Sequence, residues 1–415
     1  MTGGTSGVSN QEATPGYAWY VLLLGSLAML FVFGAAWTVM PVLFGGIMKS
    51  TGMTLKELLV VWGMMPLAVA VFAVPGGLLG DRYGIRWSIG LGIIFAAVFS
   101  ALRGVSNTFY MMLLMMLLFG VAVCPVIATV PKALREWFPL HRLGLANGIV
   151  QSCYGLGAGL ALTFGGAVLM PALGGWQNVI FLLSAICGVL GLLWIFTIHA
   201  PPKKEEEAVP TIGMVLGAFK YVLTIPSVWC IFFAQFFWVG GYILLIGYAP
   251  TYFAEIQKIE VHLAHLAPAL GLYAYVVGAI VVPWISDRIG LRKVVYVPLG
   301  IVAGIIVACT AWLFPPALLW ANVLLGLLGG IAPLLFAVPT EIEGVGAALA
   351  GAVVGLVVAG GNLGGFLFST FLAPALIALP NPKIYIIVAG VFYACSSIAF
   401  VFIKETGWRA KKAAA

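Results

Sequence analysis

The chain repeats itself at a spacing of about two hundred residues, and the repeat runs through apolar sequence. Gly80-Asp81-Arg82-Tyr83-Gly84-Ile85-Arg86 returns as Ser286-Asp287-Arg288-Ile289-Gly290-Leu291-Arg292, an offset of 206 (287 − 81). Pro125-x4-Val130-Pro131 returns as Pro333-x4-Val338-Pro339, an offset of 208 (333 − 125), and Pro75 and Pro283 stand equally far apart (283 − 75). Such constancy over separate landmarks means two copies of one structural unit.

The setting of the copies follows from composition. Hydrophobic residues make up 63% of the chain and charged residues 8%, against roughly half and about a quarter in a soluble domain. The few charges cluster between long apolar runs, which leaves spans at 18–46, 56–80, 87–104, 107–130, 143–171, 177–199, 227–253, 263–285, 294–314, 316–339, 345–373 and 384–403. Each is near the ~20 residues that a helix needs to cross the hydrocarbon core. The runs are continuously apolar and lack period-two alternation, which favours helices over a β-barrel. The expected fold is an all-α membrane protein of twelve transmembrane helices, arranged as two pseudo-twofold six-helix bundles. The domains are a tail over 1–17, a bundle over 18–199, a connector over 200–226, a second bundle over 227–403 and a tail over 404–415.

Of the 20 Lys and Arg residues, the alternate loops on one side hold Lys49, Lys56, Arg103, Lys258 and Lys383, and the rest fall on the side of both termini. Positive residues stay inside, so both termini are expected in the cytoplasm, with the chain in the plasma (cytoplasmic) membrane. Arg103 reads as an outer-face anchor. The net charge of +7 is then a topology signal, and no basic-aromatic patch points to nucleic acid. The first seventeen residues carry no Lys or Arg and do not read as a secretory signal. The six cysteines are dispersed inside spans and read as packing residues with free thiols.

The connector holds Pro201-Pro202-Lys203-Lys204-Glu205-Glu206-Glu207 and an amphipathic stretch near Ile212–Tyr221. It reads as a solvated tie between the halves. Gly144, Gly148, Ser152, Gly155 and Gly159 give span five a small-residue face, and Gly351, Gly355 and Ala359 do the same for span eleven. Small faces let helix backbones approach closely.

Taken together, these features resemble the major facilitator superfamily of secondary transporters over essentially the whole chain. The specific element is Gly77-Leu78-Leu79-Gly80-Asp81-Arg82-Tyr83-Gly84-Ile85-Arg86 between spans two and three. The second copy keeps Asp-Arg-x-Gly-x-Arg. Lys132-Ala133-Leu134-Arg135-Glu136-Trp137-Phe138-Pro139 with Arg142, and Gly361-Asn362-Leu363-Gly364-Gly365-Phe366, are similar to the bacterial organic-anion and nitrate/cyanate-type branches. The resemblance implies a carrier of a small organic solute, a monocarboxylate-like weak acid or a small neutral metabolite, working by alternating access. It implies a monomer in the lipid bilayer, acting on a small-molecule substrate without a cofactor and admitting a coupling ion, proton or sodium. It also implies that the protein is not an enzyme.

Two groups of candidate residues follow. The cytoplasmic gate comprises Gly77, Asp81, Arg82, Gly84, Arg86, Arg135, Glu136, Arg142, Asp287, Arg288 and Arg292, with Gly84 permitting a tight turn and Asp81 facing a helix amino end or an Arg. Glu341 and Glu343 occupy the corresponding linker of the second half, where a cross-half ion pair is an option. The substrate cavity of this fold is built from spans one, four, seven and ten, flanked by two, five, eight and eleven. Polar and aromatic residues there are the candidates, because lone polar groups in lipid are costly: Trp37, Thr38, Gln151, Tyr154, Gln235, Trp238, Tyr242, Tyr273 and Asn362.

By this reading no charge lies mid-membrane, and the central Arg that nitrate carriers of the similar branch hold in spans two and eight is missing. The expected site is nearly neutral, with aromatic walls and a few amide and hydroxyl donors. His262 and His265 stand at i and i+3 and read as a weak metal pair without a third ligand. A transporter-like receptor or sensor is the alternative function. It calls for an appended signalling domain, and the tail after Ile403 is short. A channel calls for a filter or charge ring, and a membrane enzyme for clustered His, Asp or Glu at membrane depth; neither is present in the sequence.

Overall fold

The computed structural model describes residues 15–138, 140–199, 217, 220–342, 345, 347–407 and 409, with the side chains of residues 15, 81, 140–145, 340 and 347–351 outside the description. The charged run of the connector and most of its amphipathic stretch therefore lie outside the described residues. Eleven described helices are long and apolar enough to cross a membrane: Gly16–Thr38, Leu55–Gly80, Arg82–Gly104, Phe109–Trp137, Ala146–Ala172, Trp176–Thr197, Pro226–Ile256, Val261–Ile289, Ala317–Ala337, Ala352–Ile377 and Lys383–Val401. A shorter apolar helix, Lys293–Cys309, sits in ninth place and completes the set, here numbered spans one to twelve. Helices form because lipid offers no partner for a backbone N–H or C=O, so each segment must satisfy its own.

Local chemistry sets the ends. Span two begins at a capping box, in which Thr54 N donates to Glu57 Oε2 at 2.7 Å and Glu57 N to Thr54 Oγ1 at 3.3 Å. The two copies of the Asp-Arg motif turn on matching glycines. Gly84 has φ 76° and Gly290 φ 74°, a left-handed conformation that a side chain disfavours. At Gly290 the turn closes span eight, its N–H donating to the Ser286 carbonyl at 2.8 Å.

The duplication is visible in the packing. A Cβ on Gly34 of span one would lie 2.7 Å from the Tyr154 carbonyl and 3.2 Å from Gly157 of span five. Gly240 of span seven meets Gly364 and Phe368 of span eleven in the same way, displaced by 206 (240 − 34) and 207 (364 − 157). Gly120 likewise lies against Met65, as Gly326 does against Gly271, both displaced by 206 (326 − 120 and 271 − 65). Equivalent glycines let equivalent backbones approach in each bundle.

The bundles meet along spans two and eleven and spans five and eight. The contacts lie from mid-height to the end away from the Asp-Arg motifs. Gly63 of span two abuts Ser369 and Thr370, Gly365 abuts Pro66, Gly247 abuts Trp62, and Gly166 abuts His265. Toward the motif end the seam loosens. A Cβ on Gly148 would meet nothing within 4 Å, and the polar Gln151 on the same span is exposed. The cleft between the bundles thus opens toward the motif end.

Candidate functional site

At the head of this cleft the two halves share an aromatic cluster. Trp62 of span two stacks on Trp37 of span one at 5.1 Å between ring centroids, Trp37 on Phe33 at 6.0 Å, and Phe33 on Tyr154 of span five at 4.6 Å. The Tyr154 hydroxyl then meets the Tyr242 hydroxyl of span seven at 3.2 Å, across the seam. A second seam-crossing bond joins Thr163 Oγ1 and the Tyr273 hydroxyl at 2.9 Å. Tyr275 fits between spans five and ten, so close to Gly155 and Gly329 that a Cβ on either would lie 3.3 Å from its ring. The small face of span five is what admits these tyrosines.

The cluster is donor-rich and uncharged. Trp37 Nε1, Thr38 Oγ1, Trp62 Nε1 and Gln235 Oε1 are buried without a hydrogen-bond partner among the described residues. Buried polar groups are almost always paired, so the free indole N–H groups of Trp37 and Trp62, inside the stacked cluster, leave it with donors to offer a polar solute. A separate crevice of about 290 Å³ between spans one, five and six is walled by apolar residues such as Leu30, Phe31, Phe164 and Ile186 and has nothing to orient a polar solute.

The cavity candidates divide by direction. Trp37, Tyr154 and Tyr242 join the cluster, and Tyr273 stands at the seam. Gln235, Trp238 and Tyr242 share a helical face by spacing yet reach different neighbours. Gln235 lies against Gly361 of span eleven, and Trp238 packs edge-on against Tyr393 of span twelve at 4.6 Å, inside its own bundle. Asn362 is half-buried and donates to the Val358 carbonyl of its own helix at 2.9 Å. Gln151 is exposed, toward the open end. Sequence reasoning missed Phe33, Trp62 and Tyr275. Phe33 carried a usable signal, standing four residues before Trp37 and so on one helix face.

The gate candidates gather at the other end of the spans. In the second copy, Arg292 Nη2 meets Glu341 Oε1 at 2.7 Å, its Nε meets Oε2 at 3.2 Å, and Nη1 meets Asp287 Oδ1 at 2.6 Å. The Glu341 carboxylate, helped by Asp287, raises the Arg292 pKa above its ordinary value against a smaller opposing effect of burial. Glu405 Oε1 accepts from the backbone N–H of Arg292 at 2.8 Å and of Lys293 at 3.1 Å, capping the start of span nine. Glu341 therefore pairs with Arg292 inside its own half, where the sequence leaves a cross-half pair open as an option; Glu343 lies outside the described residues. Arg288 stacks over Trp284 at 4.0 Å.

In the first copy, Arg86 Nε donates to the Ile195 carbonyl of span six at 2.7 Å, Arg82 lies over Tyr83 at 5.5 Å, and Lys132 Nζ donates to the Gly77 carbonyl at 3.0 Å. Arg135 and Glu136 are exposed on the last turn of span four. The side chains of Asp81 and Arg142 lie outside the described residues.

Two outer-end readings change. Arg103 is no outer-face anchor: its side chain is turned into the first bundle and the residue is 1% exposed. His262 is exposed and meets Glu260 at 3.2 Å, whereas His265 is buried against Gly166 of span five. One ring in solvent and one in the seam do not make a shared metal site, and among the described residues no cluster of three metal-ligating side chains occurs.

Two pseudo-equivalent six-helix bundles around a shared cleft define the class of membrane carrier folds. The chain belongs to the Major Facilitator Superfamily, whose family model matches residues 25–369. It is similar to a probable nitrate/nitrite antiporter, NarK1, of Thermus thermophilus, at 27% identity over 68% of this chain and 64% of that one. A hexuronate transporter of Bacillus subtilis is 25% identical over 56% of this chain and 53% of its own length. The chain thus spans between half and two thirds of the length of these curated relatives. Among solved structures, a bacterial homologue of the human lysosomal transporter Spinster, inward-facing and unoccupied, superposes with a TM-score of 0.73 at 17% identity, covering 95% of this chain and 99% of that one. That likeness establishes the fold.

Proposed function

We propose that the protein is a secondary transporter that moves a small organic solute, a monocarboxylate-like weak acid or a small neutral metabolite, by alternating access. One observation carries the reading: an uncharged, donor-bearing aromatic cluster spans the seam, tied across it by the Tyr154–Tyr242 hydroxyl pair. Neutral donors hold a monoanion or a neutral polar solute without the tight grip that a buried cation gives a multivalent anion. Similarity to nitrate/nitrite and hexuronate carriers supports an acid over a neutral solute. Trp37, Thr38, Tyr154, Gln235 and Tyr242 line the binding region, with Gln151 and Asn362 toward its mouth and Tyr273 at its far rim. Asp81, Arg82, Gly84 and Arg86, with Asp287, Arg288 and Arg292, form the gate at the cytoplasmic end, where both termini lie. The outer seam is shut and the cleft faces the cytoplasm.

Counterflow in proteoliposomes tests this. Vesicles preloaded with unlabelled D-glucuronate, lactate or a neutral sugar accelerate entry of the same labelled compound through a carrier. A receptor binds label but shows no acceleration. Binding without counterflow for every compound that binds would overturn the transport reading and favour the sensor.

A further inference from the structure

Arg103 sits on span three, 1% exposed, and its partners are all neutral. Nη2 donates to the Ala36 carbonyl at 3.0 Å and to Ser100 Oγ at 2.7 Å, Nη1 approaches Met116 Sδ at 3.2 Å, and the guanidinium lies 4.3 Å from the centre of the Phe119 ring. Nε has no partner among the described residues. A buried guanidinium is normally paired with a carboxylate, and here, among the described residues, the oxygen it takes from another helix is a backbone carbonyl of span one.

That carbonyl lies at a break. Met29–Ala35 form a π-helical turn, a feature that recurs at functional sites. Pro41 follows five residues after Ala36, and its missing N–H deprives the Trp37 carbonyl of its helical donor. Ala36 thus joins two irregularities, and Arg103 grips the joint from inside the bundle. The residues carried on the joint are Phe33, within the π turn, and Trp37, next to Ala36. These two make the aromatic shelf between Trp62 and Tyr154.

We infer that Arg103 is a positioning residue, which fixes the break in span one and thereby sets the Phe33–Trp37 shelf of the cleft. A π turn that reverts to regular helix loses its extra residue and rotates the following side chains by about 100°. Trp37 then leaves Trp62, and Phe33 leaves Tyr154. Arg103 works through these rings, from behind, and touches no solute. The role in transport rests on the function proposed above; the structural effect does not.

The experiment uses the full chain in detergent with its 13 tryptophans replaced by 5-fluorotryptophan, read by fluorine NMR. Trp37 is assigned by loss of its signal in Trp37→Phe. Its stacking on Trp62 makes its resonance sensitive to any turn of the helix. In Arg103→Met the Trp37 signal shifts or splits, the exposed Trp312 and Trp320 of the second half stay in place, and Arg103→Lys returns Trp37 toward the wild-type position. An unmoved Trp37 in folded Arg103→Met overturns the inference, as does a displacement of all signals together. Should Arg103→Met fail to fold, Ser100→Ala, which removes the shortest of the arginine's bonds, gives the same reading: Trp37 moves, or the inference falls. For a solute found by counterflow, Arg103→Met raises KM about tenfold and keeps maximal uptake within about twofold. Failure of counterflow leaves the NMR result standing alone.

Discussion

Gly159 offers the sharpest test of the seam. It lies on span five, and a Cβ placed there would fall 2.8 Å from Tyr273 Cδ1 and 3.0 Å from Cζ, closer than atoms settle without movement. Tyr273 belongs to the other bundle, so the clash exists only while the seam is closed. Forcing a methyl into packed surroundings costs about 1–3 kcal/mol. Displacing the ring also strains the Thr163–Tyr273 hydroxyl bond of 2.9 Å, a loss of about 1 kcal/mol. The helix-propensity gain of alanine over glycine, about 1 kcal/mol, is common to both states and cancels. Gly159→Ala should therefore bias the molecule toward the state with this seam parted by about 3 kcal/mol, roughly a 150-fold change in the ratio of states.

The assay is a spin–spin distance distribution between labels at Leu173→Cys and Val261→Cys, both exposed beside the far ends of spans five and eight, in a cysteine-depleted background. The variant should transfer population from a short to a longer distance. Gly157→Ala is the control. Its Cβ would run into the Leu30 backbone of the same bundle, a contact present in both states, so it lowers Tm and leaves the distances alone. A folded Gly159→Ala with an unchanged distribution would refute the seam as the moving surface.

The Tyr154–Tyr242 pair should behave as a unit: Tyr154→Phe and Tyr242→Phe each weaken apparent affinity about fivefold, worth about 1 kcal/mol, and the double variant adds little, as a double-mutant cycle of uptake would show. Glu341→Gln removes the charge facing a largely buried Arg292 (side chains 16% and 11% exposed) and should lower stability by about 2 kcal/mol, read as a drop in Tm. Asp81→Asn should cut uptake while leaving yield and Tm unchanged; full uptake would remove Asp81 from the gate.

The linear chain alone establishes the duplication, the helical spans and the two glycine turns. These depend on quantities that a string of residues carries: the apolar length needed to cross lipid, the offset between copies, and the φ that only glycine adopts cheaply at Gly84 and Gly290. It also identifies Tyr154, Tyr242 and Tyr273, and the small face of span five, but not Tyr275, which packs against that face at Gly155. What it leaves open is direction. Gln235, Trp238 and Tyr242 share a face to within about 60°, yet that arc is wide enough to touch spans eleven, twelve and five in turn, and only the placement of those helices assigns Trp238 to the bundle interior. Arg103 reads as a loop anchor from its position near the end of a span. Its burial follows from an acceptor sixty-seven residues earlier on a broken helix, together with Met116 and Phe119 on a third. Glu341 likewise finds its arginine within its own half, because the turn at Gly290 brings Arg292 back over that linker. Periodicity states which residues look the same way; the packing of neighbouring helices decides what they see.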